Sequence, residues 1–387
     1  MLLTKLGRVV GGVGLLVVLA VLMAGLGSKA QAGGIPGDGS YLEHARLGVV
    51  ALQGWYDLDT GLYKTTGWWN SANAITVLAD YARVAKTHEY DYVFSNTFAL
   101  AQKTSPDFVN KFYDDEGWWA LAWIDAFGIT HDERYLEAAH VIFTDMTYGW
   151  DETCGGGIWW SKDRNYKNAI ANELFLSVAA ELANETHNPH NRAEYLAWAE
   201  KEWKWFSASG MINGEHLVND GLTAKCENNH QNTWTYNQGV ILGGLAALSR
   251  AKKDGSTHDA ALMAQAHAIA GATVAKLVDA QGILHDTCEP KCGGDGTQFK
   301  GIFVRNLRIL HEASPKAEYA AFARKNAESI WGQVKGTDYK LGEVWAAPYS
   351  GADASSQSSA LDALVSAAAI DGRKPAGKTD KPVAESK

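Results

Sequence analysis

Residues 112–128 read Phe-Tyr-Asp-Asp-Glu-Gly-Trp-Trp-Ala-Leu-Ala-Trp-Ile-Asp-Ala-Phe-Gly. Asp114 and Asp115 stand where an aromatic-rich helical pattern begins, and Trp118 and Trp119 follow one turn later. Two neighbouring carboxyls can divide a reaction between them if one is ionised and the other protonated. Cleavage of a glycosidic bond needs such a pair, about 5 Å apart when configuration is retained and wider when it is inverted. Indole rings nearby suit the flat face of a sugar. A plainer reading of the same residues is a helix cap and a core stripe, because Asp at a helix start bonds free N–H groups and suits the dipole. The elements that place the pair must decide between the two.

Helical periodicity dominates the chain and strand alternation is scarce. Segments of two kinds alternate. Amphipathic ones are expected at 41–55, 91–102, 132–148, 192–207, 260–278 and 317–334. Segments apolar nearly all round are expected at 71–84, 114–127, 168–183, 235–250, 298–311 and 355–370. A helix apolar on every face must be buried on every face. Six such helices, each following a one-sided helix, predict an all-α fold: an (α/α)6 barrel with an inner ring inside an outer one. A superhelical stack of helix pairs would look similar, but there is no capping pair.

Links from inner to outer helices are short, as at Thr130-His131. Links from outer to inner helices are long, which places the long loops at the end where inner helices begin. Function concentrates on such loops. They carry Trp68, Trp69, Trp159, Trp160, Trp234, Trp345 and Tyr349, with Asp220, Asp286, Asp295 and Glu343. The first turns of the inner helices add Asn73, Asn168, Asn172, Tyr236, Asn237, Gln298, Lys300 and Gln357. Polar side chains are costly in a dry bore unless paired. A wet, aromatic-walled cleft at one end of an otherwise apolar bore is therefore expected. At that end, catalysis by Asp114 and Asp115 outweighs capping.

Other motifs carry less. Gly155-Gly156-Gly157 lacks the Lys-Ser/Thr of a phosphate loop and follows no strand. Asp220, in Asn219-Asp220-Gly221, reads as a turn or as a substrate-binding carboxylate. Asp125 reads as a buried structural group. No His-Glu-x-x-His spacing occurs, and His187 and His190 flank Pro189 in an expected outer loop, so neither metal nor cofactor is expected. There is no Gly-x-Ser-x-Gly elbow.

The chain has 387 residues, 15 of them Trp, and a net charge of −9. An acidic surface argues against nucleic acid and anionic membranes as partners. Residues 1–32 have a basic start, the apolar run Val9–Gly27 and an Ala-Gln-Ala ending, which reads as a cleavable signal peptide. An uncleaved anchor is the alternative. The domain is then 33–372, with a polar, disordered tail at 373–387. Four cysteines in a secreted chain imply disulfides, for which three connectivities exist. The nearness of Cys288 to Cys292 favours that bond, with Cys154–Cys226 as the other; zinc is the alternative use. Asn184-Glu185-Thr186 is a glycosylation sequon.

The segment Tyr113-Asp114-Asp115-Glu116-Gly117-Trp118-Trp119-Ala120-Leu121-Ala122-Trp123 resembles the signature of glycoside hydrolase family 76, the endo-α-1,6-mannanases. Further likeness lies in Trp68-Trp69-Asn70-Ser71-Ala72-Asn73-Ala74, Gly156-Gly157-Ile158-Trp159-Trp160, Lys167-Asn168-Ala169-Ile170-Ala171-Asn172-Glu173-Leu174-Phe175, Thr235-Tyr236-Asn237-Gln238-Gly239 and Phe299-Lys300-Gly301-Ile302-Phe303. The blocks fall in order across roughly 40–370. The resemblance implies an (α/α)6 barrel, retention of configuration, Asp114 as nucleophile and Asp115 as general acid/base. The expected substrate-binding set, drawn from the long loops and first helix turns, is Trp68, Trp69, Asn73, Trp118, Trp119, Trp159, Trp160, Asn172, Asp220, Tyr236, Asn237, Lys300 and Trp345. The expected protein is a secreted monomer acting on α-1,6-mannan or other mannose-containing glycans. A wall transglycosylase acting on GPI-anchor or wall mannan glycans and a non-catalytic mannan-binding protein are the rivals. The family includes GPI-anchored fungal wall proteins, whereas this sequence has no apolar tail.

Overall fold

The computed structural model describes residues 39–252, 259–334 and 338–372. The expected signal peptide and the expected tail lie outside them. Six helices form an outer set: α1 (Tyr41–Gln53), α3 (Asp91–Leu100), α5 (Glu133–Thr147), α7 (Pro189–Ala208), α9 (Ala260–Lys276) and α12 (Ala317–Trp331). Six form an inner set: α2 (Trp68–Ala85), α4 (Tyr113–Thr130), α6 (Ala169–Glu185), α8 (Thr235–Ala251), α11 (Phe299–Ala313) and α13 (Ala354–Gly372). A single turn, α10 (Gly293–Gly296), sits in the loop before α11, and a short antiparallel hairpin pairs Tyr56 with Tyr63.

Each inner helix packs on the next, and α13 packs back on α2, so the ring closes. The fold is the expected (α/α)6 barrel, and the stacked alternative is ruled out by that last contact. Outer helices lie over the seams: α5 over α4 and α6, α7 over α6 and α8, α12 over α11 and α13. Small residues let inner helices approach closely. A Cβ on Gly239 would stand 2.6 Å from the Phe303 Cα. Between the rings, Trp119, Trp123, Phe108 and Tyr135 form one buried aromatic cluster. Removal of one such ring from water stabilises by roughly 1.5–3 kcal/mol.

The cap chemistry differs between the rings. Ser40, Asp132, Asn188 and Asp259 each bond backbone N–H groups at the start of an outer helix. Pro189 is therefore the first residue of α7 and His190 lies inside it, which corrects the expected loop there. By contrast α2, α4, α8 and α11 begin without a side-chain cap. Their first N–H groups are left at the loop-rich end, where they favour negative charge.

The far half of the bore departs from the expectation of an apolar interior. A cavity of about 310 Å³ opens there, lined by Asp80, Arg83, Asp125, Glu181, Arg305 and Arg308 among others. Asp80 binds Arg83 at 2.5 Å and Arg308 at 2.7 Å, and Arg83 reaches Asp125 at 3.1 Å. Arg305 bonds both Asp362 oxygens at 3.1 Å and the Asn73 oxygen at 2.7 Å, linking α11, α13 and α2. These side chains are the charged positions of inner helices that are otherwise largely apolar.

Candidate active site

Helix α4 begins at Tyr113 with Phe112 as its cap residue, so Asp114 and Asp115 are its second and third residues and neither is the N-cap. Trp160 donates its indole N–H to Asp114 Oδ2 at 3.0 Å, while Asp114 Oδ1 is buried without a hydrogen-bond partner among the described residues. Asn110 donates to Asp115 Oδ2 at 2.7 Å. Glu116, fully buried, accepts the Asn110 backbone N–H at 3.1 Å and pairs with Lys162 at 3.0 Å, so it fixes the residue that holds Asp115. Burial, with the Asp115 charge behind it, pushes Asp114 up to about 8; burial pushes Asp115 up to about 6. Both shifts disfavour two charges side by side, so the pair retains a proton near neutrality.

Asp114 opens into a cavity of about 280 Å³ walled by Trp69, Trp118, Trp160, Tyr166, Tyr236 and Phe299, with Asn168, Asp220 and Asp295. Three carboxylates line it and no Lys or Arg does. Trp69 stacks on Trp118 with centroids 5.5 Å apart, and Tyr236 stacks on Phe299 at 3.9 Å. Asp220 accepts from Tyr166 at 2.5 Å, and Asn229 donates to that same hydroxyl at 2.9 Å.

Two loops shape the walls. Lys167 is buried, and its ammonium donates to Asp151 and to the carbonyls of Thr153, Gly156 and Gly157 at 2.6–2.9 Å. It thus gathers the glycine-rich loop that presents Trp160. Gly157, at φ +80°, lies under the Trp205 ring, where no side chain fits. The second loop is closed by Cys288–Cys292 and carries Asp295, which accepts the Trp69 indole N–H at 2.9 Å. Cys154–Cys226 ties the first loop to the one after α7. Both expected pairings are present.

The sequence pattern of glycosyl hydrolase family 76 matches residues 52–379. The chain belongs to that family. Mannan endo-1,6-alpha-mannosidase DFG5 of Candida albicans is 27% identical over 311 residues, covering 72% of this chain and 67% of the relative. The chain spans between 60% and 67% of the length of the first relatives it matches. Among solved structures, an inactive variant of the Salegentibacter sp. HEL1_6 α-1,6-mannanase, two adjacent aspartates replaced by alanine and α-1,6-mannotetrose bound, has the same fold. Its TM-score is 0.76 over 86% of this chain and all of that one, at 23% identity. Dfg5 of Chaetomium thermophilum, in complex with glucosamine, gives a TM-score of 0.75 over 87% and 91% of the two chains at 22% identity.

Within this family-76 barrel, Trp69, Trp118, Trp160, Asp220 and Tyr236 of the expected binding set line the cavity with Asp114. The others do not line it. Trp68 and Trp119 turn outward and pack on each other and on Phe108. Trp159 donates to Asp151 and lies over Lys167. Asn73 is buried against Arg305, and Asn172 clamps the Ile158 backbone with both ends of its amide. Asn237 is fully buried. Lys300 is buried against Glu289 at 2.6 Å, and Trp345, also buried, covers its ammonium. These residues support the walls from behind. Tyr166, Phe299 and Asp295 line the cavity but were outside the expected set; Asp295 was legible only as a long-loop carboxylate. Asn184 Nδ2 is held by the Ala180 and Ala247 carbonyls, so a glycan there requires this end of α6 to open.

Proposed function

We propose that the protein is a secreted, retaining endo-α-1,6-mannosidase. The observation that carries this reading is the half-buried Asp114–Asp115 pair at the head of α4, with Asp114 facing an aromatic cavity whose wall holds no Lys or Arg. The family, the relatives' activity and the adjacent aspartates replaced in the inactive mannanase support it. The apolar segment before residue 33 and the two disulfides support secretion.

In the proposed cycle the Asp114 carboxylate attacks the anomeric carbon while Asp115 passes its proton to the leaving oxygen. A glycosyl ester forms on Asp114. Water then enters, Asp115 takes its proton, and the ester is cleaved with a second inversion. Before a sugar binds, burial raises both carboxyls and the pair shares one proton. Positive charge developing at the anomeric carbon favours ionised Asp114 and transfers the proton to Asp115. The test is incubation with linear α-1,6-mannan, following product size and anomer. Release of α-anomers of short oligosaccharides supports the reading; intact mannan or β-anomers overturn it.

A second reading is transfer to an acceptor glycan. Three carboxylates without a counter-cation suit a sugar bearing a free amine, and one structural neighbour holds glucosamine. Products longer than the donor, formed only when an amino-sugar glycan is added, would identify it.

A further inference from the structure

We propose that the cavity in the far half of the bore is a second, non-catalytic binding site, which takes a single neutral sugar ring against the back of Trp118. No step of the proposed cycle uses it, so the inference goes beyond the glycosidase reading and stands without it.

The cavity is a chamber entered from the end away from the two aspartates. Its floor is buried, with Thr76, Asp80, Trp118, Val240 and Arg305 all shielded from solvent. Its rim is exposed at Arg83, Gly128 and Arg250, which lie in the last turns of α2, α4 and α8. Ser177, Glu181 and Glu185 of α6 line it at four-residue spacing, which keeps them on one face of that helix. At about 310 Å³ it is as large as the catalytic cavity at about 280 Å³. Trp118 lines both, so one indole is the partition between them.

The charges of the wall are already compensated. Arg83 holds Asp80 and Asp125, Arg250 holds Glu181, Arg305 holds Asp362, and Arg308 holds Asp80 and Glu312. An anion has to displace a carboxylate from one of these pairs and leave it uncompensated. Of the lining carboxylates, Glu185 has no ion pair among the described residues; it is the last residue of α6 and partly exposed, and a lone cation there is the rival occupant. Hydrogen-bonding capacity remains in the interior. The Arg308 Nε donor is buried without a partner among the described residues, on a side chain 6% exposed. Asn306 donates to the Ile302 carbonyl, and its oxygen stands over Gly243, where a Cβ would lie 2.0 Å from it. A paired carboxylate still has lone pairs to offer, and a guanidinium has five N–H donors. Among these groups lie Trp118, Leu121, Ile124 and Ile309. Donors and acceptors around an apolar face, with no net demand for charge, suit the hydroxyls and the C–H face of a pyranose.

The test uses the full chain with Asp114→Asn, so that bound sugar is not cut, and with fluorinated tryptophan in place of Trp. The Trp118 signal is assigned with Trp118→Phe. Linear α-1,6-mannotriose is added until that signal stops moving in fluorine NMR, and D-mannose is then titrated in. The expected result is a second, saturable movement with a dissociation constant on the order of 1 mM, ordinary for a ligand of about a dozen non-hydrogen atoms. The nearest atom to a Cβ on Gly128 is Arg83 Nη2 at 3.5 Å, so a side chain fits there. Gly128→Ala should keep the second movement, and Gly128→Leu should close the mouth and abolish it while the first movement stays. If Gly128→Leu does not fold, Asn306→Leu takes its place; it removes the polar atoms at similar volume and should weaken mannose roughly ten-fold. Absence of a second movement overturns the proposal. A second movement that survives the blocking variant also overturns it, because mannose then binds elsewhere. Inorganic phosphate or n-butylammonium producing the movement as well as or better than mannose overturns the neutral ring and assigns the cavity to an ion. If mannotriose itself does not bind, the glycosidase reading loses its support, and the mannose titration still decides the far cavity.

Discussion

The two aspartates of α4 make a pair because the fold half-buries them and keeps them together. The proposed roles separate when each is removed. Asp114→Ala and Asp115→Ala are each expected to lower kcat on α-1,6-mannan by roughly 10³-fold or more, with the midpoint of thermal unfolding nearly unchanged. Added azide distinguishes them. It should yield a β-mannosyl azide with Asp114→Ala, by direct inversion, and an α-mannosyl azide with Asp115→Ala, by way of the ester. The pH dependence follows from the raised carboxyls. Below about 6 both carry protons and the nucleophile is lost; above about 8 both are ionised and the acid is lost. A bell-shaped kcat/KM profile with its maximum between these limits is expected, and a plateau extending beyond pH 9 would contradict the arrangement. The pair was legible in the sequence because adjacency survives folding. The tryptophans were legible only in part. Successive helical residues are turned by about 100°, so Trp118 reaches the cavity whereas Trp119 reaches the outer ring. Spacing placed both at the correct end, and the rotation of α4 then separated them.

At the scale of elements, helix positions followed from apolar periodicity, and the chemistry of the loops did not. Lys167 illustrates the difference. In the sequence it is one lysine before an inner helix; in the fold its ammonium replaces a ladder for the coil at 151–157. Loops have no period from which such a contact can be read. Lys167→Met should strand several buried carbonyls and cost roughly 2–4 kcal/mol of stability in urea unfolding. It should also lower kcat, because Trp160 and its bond to Asp114 depend on that loop. Equal stability in the two proteins would show that the loop holds its shape without the ammonium.

For the whole molecule, six pairs and their common polarity were readable because full-face and one-sided apolar helices alternate. The charged far end of the bore was not. Asp80, Arg83, Asp125, Arg305 and Arg308 come from three helices, and their pairing exists only once those helices stand side by side. Arg305→Met removes one member and leaves Asp362 and Asn73 facing each other in a dry wall. A loss of roughly 3–5 kcal/mol is expected in urea unfolding, and the double variant Arg305→Met, Asp362→Leu should recover much of it. Failure of the second change to recover stability would mean that the site needs its charges for more than mutual compensation.

Closure of the ring by its last helix has a consequence for how the chain is made. Gln357 on α13 donates to the Gly48 carbonyl of α1, and Arg305 meets Asp362 only after α13 is in place. While the ribosome is still adding residues before 354, α1 and α2 have no neighbour on one side. The barrel is therefore an open crescent through most of synthesis, with the apolar flank of its first helices waiting for the final inner segment to arrive.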